Sequence, residues 1–427
     1  MKTKARTLAG FMELTPEKQI VFNQMEAKIR EVFEKNGLTP MDTPILEYSE
    51  VLLAKAGGET EKQIYRFEKG DSDLCMRFDL TVPFAKYTAM HQNTINFPFR
   101  RYQIGKVFRG ERTQKGRFRE FYQCDMDIID EGELSLWADA ECISVLSQIY
   151  YNLGQKIHIK ISNRKILSGI LEELGEKENQ NQILNILDKL DKIGEEKTLE
   201  LLSEATSNAE KILEIVKVAD IGEIEKLPYE NEVFKKGVEE IKQLFKNLRT
   251  LRMDNRFDLD LKIIRGLDYY TGSIFEAILV GENISVGGGG RYENLAGNYT
   301  DKKLSGVGVS VGLTRLFDIL DKNGKLPFPK ATTAKVAIIP LGDTNNHCFL
   351  MAEKLRDRGI NTQVLYFDKS FKSKMNYANK IGVPFIMVIG DDELRSGVYG
   401  LKNMYTGEVF ENDFESILER LKGSQDV

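Results

Sequence analysis

The stretch Phe108–Asp130, FRGERTQKGRFREFYQCDMDIID, limits the fold of this chain more than any other. A strand-like run enters it, RYQIGKVFRGE, with Tyr102, Ile104, Val107 and Phe108 among its apolar members. A polar loop, TQKG, follows, and a second strand-like run, RFREFYQCDMDIID, leaves it. Side chains of a strand alternate between its faces. The alternation predicts Arg109 and Glu111 on one face of the first strand, and Arg117, Arg119, Gln123, Asp125 and Asp127 on one face of the second. Cys124, Met126 and Ile128 then point the other way. The plain reading is a hairpin whose polar face is solvated and laced with ion pairs, which are worth little. The sharper reading starts from the density of arginines beside amides and acids. Arginine grips phosphate bidentately, whereas Gln and Asp accept from amines. A face with both suits a ligand that has a phosphate end and an amine end.

Composition sets limits around that hairpin. A chain of 427 residues holds two or three domains. Hydrophobic residues at 41% and charged residues at 29% are ordinary for a globular protein. The net charge of −5 means that any nucleic-acid surface must be a local basic patch. Cys75, Cys124, Cys142 and Cys348 are scattered, with no CxxC or Cys/His spacing. That argues against a zinc site or a disulfide framework and fits a reducing compartment. No metal-ligand set is read from the sequence. The N-terminus lacks a long apolar run, and no segment is apolar for long enough to span a membrane, so a cytoplasmic protein is expected.

Along the chain, Ile20, Val21, Met25, Ile29, Val32 and Phe33 recur at helical spacing after Pro16, and Gly37 ends that helix. LTPMDTPILEYSEVL reads as an edge strand followed by a short helix. Tyr65–Phe67 and Leu74–Phe78 form a hairpin; Asp79, Leu80 and Thr81 close it before a helix with Pro83 in its first turn. Asp79 and Thr81 are acceptors suited to an ammonium group, and equally suited to capping the helix. Residues 163–247 are rich in Leu, Ile, Glu and Lys with helical periodicity, which predicts a helical insertion. SVGGGGRYENL, at Ser285–Leu295, places four glycines between a strand and a turn, where they permit close backbone approach or merely a bulge. It is not a Walker or Rossmann loop, because GK[ST] and GxGxxG are absent. SGVGVSVGLTRLFDIL reads as strand into helix, with Arg315 early in the helix. Gly324, Pro327 and Pro329 break the chain at a linker, and strand–helix alternation beyond it predicts a mostly parallel α/β domain.

Three segments carry a resemblance. FRGERTQKGRFREFYQCDMDIID is similar to motif 2 of class II aminoacyl-tRNA synthetases in their histidyl form; RGLDYYTG, from Arg265 to Gly272, resembles a peptide peculiar to histidyl-tRNA synthetases; Ser305–Leu316 resembles motif 3. The segment around Pro44 resembles motif 1, which builds a dimer interface in that family. The resemblance implies an α+β catalytic domain, with an antiparallel sheet flanked by helices, over residues 1–325. It implies the helical insertion inside that domain, a linker at 326–333, and an anticodon-binding α/β domain at 334–427. It implies a homodimeric ligase that uses ATP with Mg²⁺, L-histidine and tRNA(His). Histidine would be held by Asp79, Leu80, Thr81, Arg109, Gln123, Asp127, Arg265, Tyr269 and Tyr270, with Asp127 and Tyr270 bracketing the imidazole. ATP would be held by Arg109, Glu111, Arg117 and Arg315. Arg265 and Arg109 would be the catalytic cations at the α-phosphate. Arg112, Gln114 and Lys115 would meet the acceptor end of the tRNA. The competing reading is the synthetase-like regulatory subunit of ATP phosphoribosyltransferase, which senses histidine without charging tRNA. The presence of Arg109, Arg117, Arg265, Arg315 and a C-terminal domain favours the ligase.

Overall fold

The computed structural model describes residues 2–53, 61–112, 116–264, 270–328 and 330–424. It divides into two compact units, residues 1–12 with 25–323, and residues 13–24 with 324–427. None of the described helices is long and apolar enough to cross a membrane.

In the first unit the strands are β1 (Thr39–Pro40), β2 (Leu46–Tyr48), β3 (Arg66–Lys69), β4 (Ser72–Met76), β5 (Phe99–Phe108), β6 (Glu120–Glu131), β7 (Ile157–Asn163), β8 (Phe257–Leu259), β9 (Ser273–Leu279), β10 (Ile284–Tyr292) and β11 (Leu304–Val311). Eight of them make one sheet, ordered β1-β5-β6-β11-β10-β9-β7-β8, and β2, β3 and β4 make a smaller one. The large sheet is antiparallel at its centre; only its two edge pairs, β1 with β5 and β7 with β8, run parallel.

The helices of this unit are α1 (Pro16–Lys35, whose first half clusters with the second unit), α2 (Ser49–Leu53), α3 (Thr81–His91), α4 (Trp137–Asn152), the series α5 (Arg164–Glu173), α6 (Gln180–Leu187), α7 (Leu190–Ile193), α8 (Glu195–Ala205), α9 (Ala209–Val216), α10 (Ile221–Ile224) and α11 (Glu232–Thr250), and α12 (Leu313–Lys322). The greasy face foreseen for the hairpin is real: Cys124, Met126 and Ile128 are buried. Tyr102, on the same face, stacks on Phe33 of α1 at 5.2 Å. α4 crosses the same side farther along, where the Tyr150 hydroxyl donates to the Val286 carbonyl at 2.7 Å. On the opposite side α3 covers one end of the sheet, with Phe84 and Ala85 packed among Ile129, Tyr292 and Leu304.

The insertion is wholly helical between Arg164 and Thr250. The Asn163 side chain caps α5 by accepting from the Lys165 amide at 2.9 Å. α5 and α11 approach closely because glycine stands at both contacts. A Cβ on Gly169 would overlap the backbone of Phe234, and one on Gly237 would lie 2.8 Å from the Ile166 nitrogen.

Two local readings are corrected. β5 ends at Phe108 and β6 begins at Glu120, so Arg109, Glu111, Arg117 and Arg119 lie in the connection rather than on strand faces. Arg109 still donates across it to the Arg119 carbonyl at 2.9 Å, but Gly110 donates to the Gln63 carbonyl at 2.7 Å and Arg119 to the Gly10 carbonyl at 2.8 Å. The four glycines, Gly287–Gly290, lie inside β10 and not between a strand and a turn; the register slips between Ser285 and Gly287.

The second unit contains β12 (Val336–Pro340), α13 (Asn345–Asp357), β13 (Thr362–Val364), α14 (Phe371–Ile381), β14 (Phe385–Ile389), α15 (Asp391–Ser396), β15 (Tyr399–Asn403), β16 (Val409–Asn412) and α16 (Phe414–Gly423). The sheet order is β13-β12-β14-β15-β16. Alternation in β12 sends Val336 and Ile338 into a core with Met351, Leu355 and Leu418, and Ala337 and Ile339 into a second core with Leu365 and Ala378. The sheet is mixed rather than mostly parallel, because β14–β15 and β15–β16 pair antiparallel.

Candidate active site

Strand register collects one set of polar side chains on the face opposite α4. Arg101 pairs with Asp127, Gln103 with Asp125 and Gly105 with Gln123 across β5 and β6. On the other side of β6, Gly308 faces Asp127 and Ser310 faces Asp125; beyond them Gly290 faces Gly308 and Tyr292 faces Gly306. The glycines hollow this face. A Cβ at Gly308 would overlap Asp127 Oδ1, one at Gly306 would overlap the Tyr292 ring, and one at Gly290 would lie 2.7 Å from Tyr270 Cδ1. The strand glycines are therefore the reason Tyr270, Tyr292 and Asp127 fit side by side.

The floor of this hollow is a buried charge cluster. Arg101 has no exposed surface. Its Nη2 lies 2.5 Å from Asp127 Oδ2 and donates to the Leu80 carbonyl at 3.2 Å. Its guanidinium sits 4.3 Å above the Phe84 ring. The Tyr292 hydroxyl donates to Asp127 Oδ1 at 2.9 Å. Asp79 stands just before α3, and its Oδ1 accepts from the Val82 amide at 3.1 Å. Burial dominates all three carboxyls and disfavours their charged forms. It pushes Asp79 up to about 6, against the Val82 amide and the charges of Arg109 and Arg101. It pushes Asp127 up to about 6 and Asp125 up to about 7, with Arg101 the main opposing charge in both. Buried polar atoms without a protein partner among the described residues concentrate here: Asp79 Oδ2, Gln123 Oε1 and Asp125 Oδ1 as acceptors, Arg101 Nε and Nη1 as donors. A buried unpaired polar group costs about 1–3 kcal/mol, so a polar ligand that supplies partners gains by that amount.

Arg109, at the start of the connection, borders this hollow, where its charge acts on Asp79. Arg109 Nε donates to the Phe78 carbonyl at 2.9 Å, and its guanidinium lies 5.2 Å above the Phe121 ring. Both contacts fix the plane of the fork. Arg117 Nη1 approaches Glu111 Oε2 at 3.3 Å, and Arg119 Nε donates to the Glu111 carbonyl at 3.1 Å. Arg315, in the first turn of α12, donates from Nε to the Gly116 carbonyl and from Nη1 to the Ser285 carbonyl, each at 3.0 Å. It thereby ties the end of the connection to the start of β10.

The structure thus places Asp79, Leu80, Gln123, Asp127 and Tyr270 at one hollow. Thr81 is the first residue of α3, Arg109, Glu111 and Arg117 lie on the connection between β5 and β6, and Arg315 reaches the end of that connection from α12. Arg112 is exposed there. Arg265, Tyr269, Gln114 and Lys115 lie outside the described residues. Sequence reasoning missed Arg101, Gln103, Tyr292 and Ser310, and gave Asp125 no role. Alternation put Asp125 on the right face, but the others sit on strands whose register the sequence does not state.

With that geometry in view, comparison with known proteins is direct. A family model described as histidyl-tRNA synthetase matches residues 10–316, and one described as an anticodon binding domain matches residues 335–424. The chain is 45% identical over 438 aligned positions to a histidine–tRNA ligase from Clostridium tetani, covering 99% of both chains. It is 43% identical to a histidine–tRNA ligase from Clostridium acetobutylicum, covering 97% of this chain and 99% of the relative. The crystal structure of histidyl-tRNA synthetase from Nostoc sp. PCC 7120 superposes with a TM-score of 0.88 at 34% identity, covering 99% of each chain. An ATP phosphoribosyltransferase regulatory subunit/histidyl-tRNA synthetase from Bacillus halodurans C shares the fold at 17% identity, with a TM-score of 0.77 over 91% of this chain and 99% of that one. A class II catalytic unit with a hollowed antiparallel face, followed by an α/β unit that matches the anticodon binding domain, places this chain in the histidyl-tRNA synthetase family.

Proposed function

We propose that the hollow on β5, β6, β10 and β11 binds histidine beside ATP and makes histidyl-adenylate, which the enzyme then spends on tRNA(His). The observation that carries this reading is the set of unpartnered acceptors, Asp79 Oδ2 and Gln123 Oε1, on a face bordered by the fixed guanidinium of Arg109. An ammonium group supplies the donors those acceptors lack. A carboxylate and a phosphate supply what the arginine lacks.

Activation is attack by a histidine carboxylate oxygen on the α-phosphorus of ATP, with pyrophosphate leaving. Histidine then passes to the 3′-terminal ribose hydroxyl of the tRNA, and AMP leaves. Such chemistry needs positioning and positive charge rather than a protein nucleophile. Arg109 holds the carboxylate against the α-phosphate; its Nε is already occupied, so its Nη groups are the donors turned to the ligand. Glu111 accepts from the adenine amino group while Arg117 steadies its carboxylate. Arg315 meets the γ-phosphate. Arg265 follows the charge that develops at the α-phosphate, as a planar and permanently charged group can. Asp127, braced beneath by Arg101 and Tyr292, accepts from one imidazole nitrogen, and Tyr270 meets the other. Tyr269 takes part in histidine binding, as the family resemblance implies, and Asp79 with Leu80 and Thr81 holds the ammonium end. Arg112, Gln114 and Lys115 meet the acceptor end of the tRNA. Mg²⁺ enters with ATP as the counter-ion of the triphosphate and is part of that substrate. The exposed apolar side chains Ile45, Leu46 and Tyr48, in the segment around Pro44, support a homodimer. The absence of cysteine pairing among four buried free thiols suits the cytoplasm.

The test is histidine-dependent ATP–pyrophosphate exchange in the parent and in Arg109→Ala. Exchange in the parent, reduced by roughly 10²–10³-fold in the variant while histidine still binds, supports the reading. Histidine binding without exchange in the parent, where a control synthetase works, would leave a histidine sensor and sink the ligase.

A further inference from the structure

β10 carries one residue more than its neighbour needs. Ser285 pairs with Ile278 and Gly287 with Ala277 of β9, so Val286 is extra and the strand bulges there. In a regular antiparallel ladder, successive residues direct their carbonyls to opposite sides. At this bulge two successive carbonyls both turn to the start of α12. The Val286 carbonyl accepts from the Gly312 amide at 2.9 Å, and the Ser285 carbonyl accepts from Arg315 Nη1 at 3.0 Å. Arg315 Nε donates to the Gly116 carbonyl at 3.0 Å. The guanidinium is therefore held from two sides, and its plane depends on where the bulge puts Ser285.

A bulge disrupts the ladder locally, so other contacts must fix its position. Tyr150 of α4 supplies one from the far side of the sheet. It is fully buried, and its hydroxyl donates to the Val286 carbonyl at 2.7 Å. The fit needs the glycine that follows: a Cβ on Gly287 would lie 3.1 Å from the Tyr150 hydroxyl. The plain reading is a buried tyrosine that has found an acceptor. Yet the Val286 carbonyl already has a backbone partner in Gly312, so the hydroxyl adds a second bond to one oxygen and rescues no orphan acceptor. What the second bond does is tie α4 to the bulge, one residue from the carbonyl that holds Arg315.

We infer that Tyr150 is a positioning residue for the nucleotide: it clamps the β10 bulge, and through the Ser285 carbonyl it holds Arg315 where the γ-phosphate of ATP is met. The inference rests on the reading that Arg315 meets that phosphate. Tyr150 lies on the α4 side of the sheet, opposite the hollow, and touches no substrate. Its influence is confined to ligands that carry the terminal phosphate.

The experiment is calorimetric titration with three ligands, ATP with Mg²⁺, AMP and L-histidine. Tyr150→Phe removes one oxygen and leaves the bond between Gly312 and Val286 in place; thermal melting checks that the fold is kept. It weakens ATP by roughly fivefold, within the worth of one hydrogen bond, and leaves AMP and histidine unchanged. Arg315→Ala abolishes the advantage of ATP over AMP, and in that background Tyr150→Phe weakens ATP no further. Unchanged ATP affinity in Tyr150→Phe overturns the clamp, and so does an equal weakening of all three ligands, which is what loosened packing alone would give. A full additional loss in the double variant overturns it as well, because Tyr150 would then act without Arg315. Arg315→Ala that still prefers ATP to AMP overturns the γ-phosphate reading of Arg315 itself, and the clamp with it.

Discussion

Arg101 shows how one residue sets the terms for several others. A single buried guanidinium faces Asp127 directly and also acts on Asp79 and Asp125. One cation does not compensate three buried carboxylates, so the folded state prefers some of them protonated. Their folded pKa values, about 6, 7 and 6 for Asp79, Asp125 and Asp127, lie above the ordinary 3.8 of an exposed Asp. Between about pH 4 and pH 7 the folded chain therefore binds more protons than the unfolded one, and stability falls as pH rises through that window. One pH unit between folded and unfolded pKa is worth about 1.4 kcal/mol for a single group, and the shared arginine makes the three groups non-additive. Melting curves from pH 5 to pH 8 should show this decline, and Asp125→Asn should flatten it and raise the melting temperature at pH 8. An undiminished slope in that variant would remove Asp125 from the account. At the same scale, the residue types of the site were readable in advance: Gln123, Asp127 and Arg109 announce amine and phosphate chemistry by their functional groups. Arg101 did not, because nothing in RRYQ marks its side chain as buried beneath the site.

Elements decide where those groups stand. The β10 and β11 glycines look like turn residues, since glycine weakens a strand interior. They survive as strand because β10 is paired on both sides and β11 lies between β10 and β6, so the ladder supplies the order that glycine lacks. What they provide is room. Gly308→Ala forces a methyl into the Asp127 carboxylate. Such overpacking costs about 1–3 kcal/mol. Because Asp127 is held by Arg101 and Tyr292 and has little freedom to yield, histidine affinity should fall by at least tenfold while the secondary structure persists. Circular dichroism with histidine titration checks both halves; full affinity in Gly308→Ala would mean that Asp127 does not shape the pocket. The connection between β5 and β6 teaches the converse. Its arginines extend a strand-like alternation in sequence, yet after one bond from Arg109 to the Arg119 carbonyl, the Gly110 and Arg119 amides turn to Gln63 and Gly10. Period-two patterning ends where the ladder partners end, and those partners are remote in the chain.

At the scale of the whole molecule, the net charge of −5 bears on how tRNA is met. An acidic body repels a polyanion except at local basic patches, so the interaction is carried by a limited number of phosphate contacts. Each phosphate neutralised weakens binding by about threefold between 50 and 200 mM salt. The apparent KM for tRNA in the charging reaction should rise at least that much over this range, whereas histidine-dependent exchange, which needs no tRNA, should change far less. Equal sensitivity of the two reactions would place the salt effect in the catalytic unit rather than on the tRNA surface. The family matches follow the same organisation, with one over residues 10–316 and the other over residues 335–424.

The order of the three motif-like segments, the helical periodicity of 163–247, the break near Gly324 and the strand–helix alternation after it are local properties of the chain, written in nearest-neighbour chemistry and short periods. They were legible from residues alone. The hollow itself was not. It depends on Gln123 meeting Ser310 across 187 positions and Asp127 meeting Tyr292 across 165. Those meetings follow from strand order and register. A slip of one residue in either ladder would turn every one of these side chains to the opposite face.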